Sequence, residues 1–197
     1  MIRKKKEPAI RFTGFSGEWE EKELFRVAEF NPKEALPEIF EYVDLESVIG
    51  TRMVSHRTER RESAPSRAQR LARKGDVFYQ TVRPYQKNNY LYDKNETNYV
   101  FSTGYAQMRP YGNGYFLLSF VQLPRFVKVV LENCTGTSYP VINSTQLANI
   151  DSYFPDYEEQ TKIGNLFQQL DTLITQQQSQ LTKLNTIKQA LLAKMFV

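Results

Sequence analysis

The chain holds 197 residues with a formal net charge of +4, 13% aromatic residues and a single cysteine. That length accommodates one core of about 150 residues plus a helical arm, and no apolar run reaches the roughly 18 residues needed to cross a bilayer. Lone Cys134 excludes an internal disulfide and fits a reducing, cytoplasmic setting; Lys4 to Lys6 look like the basic start of a secretory signal, but charged and polar residues follow them.

Charge is unevenly spread along the chain. Residues 18–46 carry ten carboxylates against three Lys/Arg, whereas residues 49–94 carry eleven Lys/Arg against four carboxylates. Arg52, Arg57, Arg60, Arg61, Arg67, Arg70, Arg73 and Lys74 fall within 23 residues, the electrostatic footprint expected of phosphate binding. A solvated face is the plainer alternative. Tyr79, Gln80, Tyr85, Gln86, Asn88, Asn89 and Tyr90 follow directly, and Arg and amide side chains are the ones that read base edges bidentately. The acidic stretch is expected to lie away from nucleic acid or to meet a basic partner.

The elements read as a mixed α/β core. Val77 to Val82 is a strand, begun by the Gly75-Asp76 turn and ended by Arg83-Pro84. Tyr99 to Phe101 and Tyr105 to Met108 alternate around Gly104 as two more strands. Tyr115 to Cys134 is helical and split by Pro124, with Cys134 as a small core residue. Thr135 to Ser138 is a loop, Thr145 to Asn149 a helical turn, and Ile150 to Phe154 a last strand. A long helix then starts at Asp156, with Glu159 placed to close a capping box. Ile163, Phe167, Leu170, Ile174, Leu181, Leu184, Leu191 and Met195 form one stripe with Gln177 and Lys188 in its gaps, a heptad seam. At 1.5 Å per residue the helix reaches roughly 60 Å, longer than a small domain can cover, so the seam calls for a partner helix.

Constellations for catalysis are absent from the sequence. His56 and Cys134 are single residues without metal-ligand spacing, and no Gly-rich phosphate loop or Walker lysine occurs. Asn31-Pro32 is followed by Lys33, so the aromatic loop with which a methyltransferase holds a flipped base is missing. No metal is expected.

The run from Ser63 through Arg67, Gly75 and Val77 to Pro84 resembles target recognition domains of type I restriction–modification specificity subunits. Glu7 to Phe15 with Trp19-Glu20 is similar to the opening of such a domain. Gly136-Thr-Ser-Tyr-Pro140 and Phe154-Pro155 before Glu158 to Ile163 match its end, and the tail to Phe196 resembles the family's spacer helix. The resemblance implies an α+β fold: a globular recognition domain over residues 1–155 and a spacer and dimerisation helix over 156–197. It implies a non-catalytic subunit that reads double-stranded DNA and docks modification subunits, and through them the restriction subunit. S-adenosylmethionine, ATP and Mg²⁺ would then belong to those partners.

Carried onto this sequence, Ser66, Arg67, Arg70, Arg73 and Lys74 are expected at phosphates. Arg83, Tyr85, Lys87, Asn88 and Asn89 are expected near the groove, and Thr137, Ser138 and Tyr139 in a second contacting loop. Arg67 could equally hold an internal carboxylate; Tyr90 and Tyr92 read as strand packing. The family's usual subunit has two recognition domains and two helices, and this chain has one of each: a half-size form, which pairs with a copy of itself through the helix, or a fragment, whose partner helix lies on a missing half. The alternative is a DNA-binding regulator dimerised by its coiled coil.

Overall fold

The computed structural model describes residues 7–136 and 138–196. Its strands are β1 (Glu20–Glu23), β2 (Ala28–Phe30), β3 (Ile39–Val43), β4 (Val48–Ile49), β5 (Arg52–Met53), β6 (Arg57–Arg60), β7 (Ala68–Leu71), β8 (Val77–Gln80), β9 (Tyr90–Leu91), β10 (Tyr99–Ser102), β11 (Tyr105–Pro110) and β12 (Asp151–Phe154). Its helices are α1 (Gly114–Val121), α2 (Pro124–Glu132), α3 (Ser144–Ala148) and α4 (Tyr157–Met195). The fold is α+β. Two four-stranded sheets run in the orders β6-β3-β10-β7 and β2-β11-β8-β9, with two-stranded sheets β1-β12 and β4-β5 beside them.

Side-chain alternation on the strands builds three layers. Val77 and Tyr79 of β8, and Ala106 and Met108 of β11, face α1, α2 and α3 in the largest core. Phe78 and Tyr105 point the other way, toward Val43, Tyr99 and Phe101 of the second sheet. There the Phe78 and Phe101 rings stack with centroids 3.6 Å apart. The two strands expected around Gly104 both form, yet they do not pair with each other: β10 pairs with β3 and β7, β11 with β2 and β8. The short turn between them carries the chain from one sheet to the other. Pro124 sits at the start of α2, where its missing N–H costs nothing, and bends the helix pair by 66°. Phe120 and Phe126 pack across that elbow at 5.1 Å. Half-buried Cys134 packs against the same core.

The basic and acidic stretches hold strands β1 to β7, which charge-rich composition conceals. Glu20 to Glu23 forms β1 and pairs with β12, closing the globular part between residues near its two ends.

Asp156 caps α4, its side chain accepting the Glu159 N–H at 2.8 Å. The second half of the expected box does not form. The Glu159 carboxylate is buried and takes both Nε and Nη2 of Arg11 at 2.8 Å, so a more distant cation replaces the local backbone donor. Gly164 lets α4 approach the start of α1 closely: a Cβ there would stand 2.1 Å from Asn113 Oδ1. The expected seam divides at this point. Ile163 packs against the main core, whereas Phe167, Leu170, Ile174, Leu181, Leu184, Leu191 and Met195 are 42% to 71% exposed. Arg52 Nη2 reaches Gln178 Oε1 at 2.9 Å, so α4 also runs past the β4–β5 hairpin.

Candidate nucleic-acid interface

Four of the eight arginines in the basic stretch, Arg52, Arg57, Arg61 and Arg73, donate to groups of the chain itself. Arg57 donates to Asp44 and Glu59, each at 2.7 Å, with its guanidinium over the Tyr42 ring. Burial alone would raise the Asp44 carboxyl, but hydrogen bonds from Arg57, Ser47 and the Glu46 N–H hold it below the usual carboxylate range. Arg73 pairs with Glu34 at 2.7 Å. Arg109, which sequence reasoning missed, reaches Glu34 at 2.8 Å and grips both oxygens of buried Asp76 at 2.9 Å. Asp76 also accepts the Arg73 N–H, so it forms the expected turn and anchors an ion cluster besides. Lys74 donates to Asn95, and Arg61 to the Leu36 carbonyl. Exposed His56 rests on Glu41 at 2.8 Å. The acidic stretch therefore meets a basic partner within its own chain. The partners lie far apart in sequence, which is why charge counting overstated the free positive charge.

Topology sorts the candidate residues between two ends of the sheets. Ser66 and Arg67 precede β7, and the Arg67 carbonyl accepts the Thr103 N–H at 2.8 Å, beside the turn that switches sheets. Thr81, just past β8, donates to the Gly104 carbonyl at the same turn. Arg73 and Lys74 follow β7 and precede β8, at the opposite end. Arg67 is exposed and makes no ion pair among the described residues, so the internal-carboxylate alternative does not hold for it. Arg70 lies between the ends, half-buried on the face of Phe101; its Nε has no partner, and burial lowers its pKa.

The Thr81 end carries a braced loop pair. Ile142 N–H bonds the Thr81 carbonyl, and Arg83 N–H the Pro140 carbonyl at 2.8 Å, joining residues 81–83 to 140–142. Arg83 and Lys87 flank the 3-10 turn Pro84–Gln86 with φ of 51° and 56°, a left-handed backbone that non-glycine residues rarely adopt. Such strain persists only where the surroundings enforce it. The Arg83 guanidinium lies over the Tyr139 ring, 4.4 Å from its centroid. Tyr85 and Tyr139 are about half exposed, and Ser138 is exposed. Thr137 lies outside the described residues.

Two amides expected at the groove have structural work instead. Asn88 Oδ1 accepts the Gly50 N–H at 2.8 Å and ties the β4–β5 hairpin to the loop. Asn89 is 1% exposed and its Oδ1 accepts the Gln80 N–H at 2.9 Å, so it has no edge to offer a base. Tyr90 and Tyr92 are buried between the sheets, as strand packing. One end thus gathers Ser66, Arg67, Arg83, Tyr85, Lys87, Ser138 and Tyr139, and leaves Arg73 and Lys74 outside it. Among the described residues no three His, Cys, Asp or Glu side chains lie together to hold a metal ion, and no single helix is long and apolar enough to cross a membrane.

Comparison with known proteins agrees with this architecture. The chain is 29% identical over 139 residues to the type I restriction enzyme HindI specificity subunit of Haemophilus influenzae, covering 68% of this chain and 30% of that protein. The HsdS subunit from Thermoanaerobacter tengcongensis superposes with a TM-score of 0.66 and 27% identity, over 80% of this chain and 43% of that one. The type I restriction-modification S subunit from M. genitalium shares the fold at a TM-score of 0.54 and 15% identity, over 82% and 41% of the two chains. The chain thus spans less than half the length of these three relatives. The family profile described as "Type I restriction modification DNA specificity domain" matches residues 66–186, from the Ser66–Arg67 turn to well beyond the middle of α4, and the chain belongs to that family.

Proposed function

We propose that this chain recognises DNA sequence as a specificity subunit of a type I restriction–modification complex, with residues 1–155 reading double-stranded DNA and residues 156–197 serving as spacer and dimerisation helix. The observation that carries the reading is the braced loop pair. Arg83 stacked on Tyr139, with Tyr85 and Lys87 beside it, offers rigid cations and aromatics at one end of the sheets. A stacked guanidinium is pre-organised for bidentate contact with a base edge or a phosphate. The chain itself supplies no cleavage or methyl transfer in this proposal; S-adenosylmethionine, ATP and Mg²⁺ belong to modification and restriction subunits that it directs.

The exposed seam of α4 supports self-association, since apolar residues from Phe167 to Met195 are left uncovered. Antiparallel pairing of two copies is isologous and closes as a dimer. Two identical recognition domains would then read inverted half-sites with an unread spacer between them.

The test is binding of the full chain to labelled duplexes, alone and with modification subunits, followed by selection from a random duplex pool. A split palindrome is the expected product. Failure to bind duplex under either condition would refute the reading, as would cleavage or methylation by the chain alone.

A further inference from the structure

We propose that the outer face of α2, through Arg125 and Lys128, is part of the DNA-contact surface and takes backbone phosphates beside the Arg83–Tyr139 loop pair. This rests on the DNA-recognition reading above and adds a surface from a different part of the chain.

Gln122, at the elbow between α1 and α2, donates its Nε2 to the Lys87 carbonyl at 3.1 Å, and α2 packs against the Pro84–Gln86 turn. Phe126, Val127 and Val130 are buried in the core. Helical geometry then sends Arg125 and Lys128, three residues apart, to the opposite face, and both are exposed. They rise from the helix that packs against the turn flanked by Arg83 and Lys87.

Arg57 and Arg73 pair with carboxylates, and Arg52, Arg61 and Lys74 donate to neutral groups. Arg83, Lys87, Arg125 and Lys128 form no ion pair among the described residues. The segments that carry them are poor in acid: residues 81–92 contain no Asp or Glu, and residues 97–150 contain only Glu132, at the far end of α2. An acidic residue in that span would repel a polyanion, and the rest of the chain has many. Cations without ion-pair partners, next to braced aromatics, are what phosphate neutralisation requires.

The experiment measures the full chain on a mixed-sequence duplex by fluorescence anisotropy across a salt series. Each lost phosphate contact lowers the slope of log K against log salt by about 0.9. Arg125→Ala/Lys128→Ala should therefore reduce the slope by about 1.8, alike on any sequence, while melting as the wild type does. Lys22→Ala/Arg26→Ala removes the same charge on the β1 side and should leave the slope unchanged. Wild-type binding with an unaltered slope in the α2 variant overturns the α2 assignment and leaves DNA recognition standing. An equal fall in both variants also overturns it, since net charge alone would then account for the effect. A wild-type chain that binds no duplex, alone or with modification subunits, overturns both readings.

Discussion

Gly164→Ala isolates the contact that sets how the long helix leaves the domain. Glycine within a helix is ordinarily a liability, and alanine there gains about 1 kcal/mol of helix propensity. Here the added Cβ would lie 2.1 Å from Asn113 Oδ1 and 2.9 Å from the Phe116 nitrogen. Those two atoms are the N-terminal cap of α1, where Oδ1 accepts the Phe116 N–H at 3.0 Å. Losing the cap costs about 1 kcal/mol, and forcing the helices apart about 1–3 kcal/mol. Against the propensity gain, the net loss is about 1–3 kcal/mol. For a chain of this size that lowers the melting temperature by roughly 2–4 °C per kcal/mol. Calorimetry on wild type, Gly164→Ala, Asn113→Gly and the double variant makes the test specific. With Asn113 replaced the obstructing carboxamide is gone, and Gly164→Ala should become much less destabilising. A single Gly164→Ala variant that melts at or above the wild-type temperature would show that α4 and α1 are not in the close contact described.

Leu184→Glu places a charge on a 64% exposed seam residue far from the core, so light scattering should report a monomer whose globular part stays folded; a wild-type chain already monomeric at micromolar concentration rejects self-pairing. Asn89→Ala leaves the buried Gln80 N–H without its acceptor, so it should cost about 1–3 kcal/mol in urea unfolding and leave the sequence selected from a duplex pool unaltered; a changed sequence preference would return Asn89 to the interface. The Glu34 carboxyl is pushed up by burial but held, on balance, below its usual 4.5 by Arg109 and Arg73. Its stabilisation is thus present above about pH 4.5 and lost as pH falls through the lowered folded-state value. The urea midpoint should drop over that acid range, and Glu34→Gln should flatten the drop.

Elements with strong local signals were legible in the sequence. The capped start and heptad period gave α4, Pro124 gave the elbow, and β-branched and aromatic runs gave β8, β10 and β11. What escaped was set by distant partners. Nothing near Glu159 announces Arg11, 148 residues away, and that pairing displaced the expected capping box. Arg57 and Arg73 look free in a linear charge count because Asp44 and Glu34 precede them in a separate acidic stretch. The left-handed backbone of Arg83 and Lys87 is unreadable because neither residue favours it; the bonds to Pro140 and Gln122 enforce it from elsewhere. Asn88 and Asn89 have the side-chain chemistry of base readers, and only burial and bonding reveal their structural use.

The pairing of β1 with β12, and of Arg11 with Glu159, has a consequence for the order of assembly. During synthesis, Glu20 to Glu23 emerges before its strand partner and waits for it until the globular part between them has been made. Closing so long a loop is the slowest kind of contact to form, so this edge should zip up last, after the stacked sheets have condensed around Phe78 and Phe101. Only Phe154 of the two strands is buried, so the seam is one of low local stability, whose opening exposes Arg11 and Glu159 before the core yields. Amide exchange should therefore be fastest, among the paired strands, along β1 and β12: the chain would loosen first at the root of its long helix.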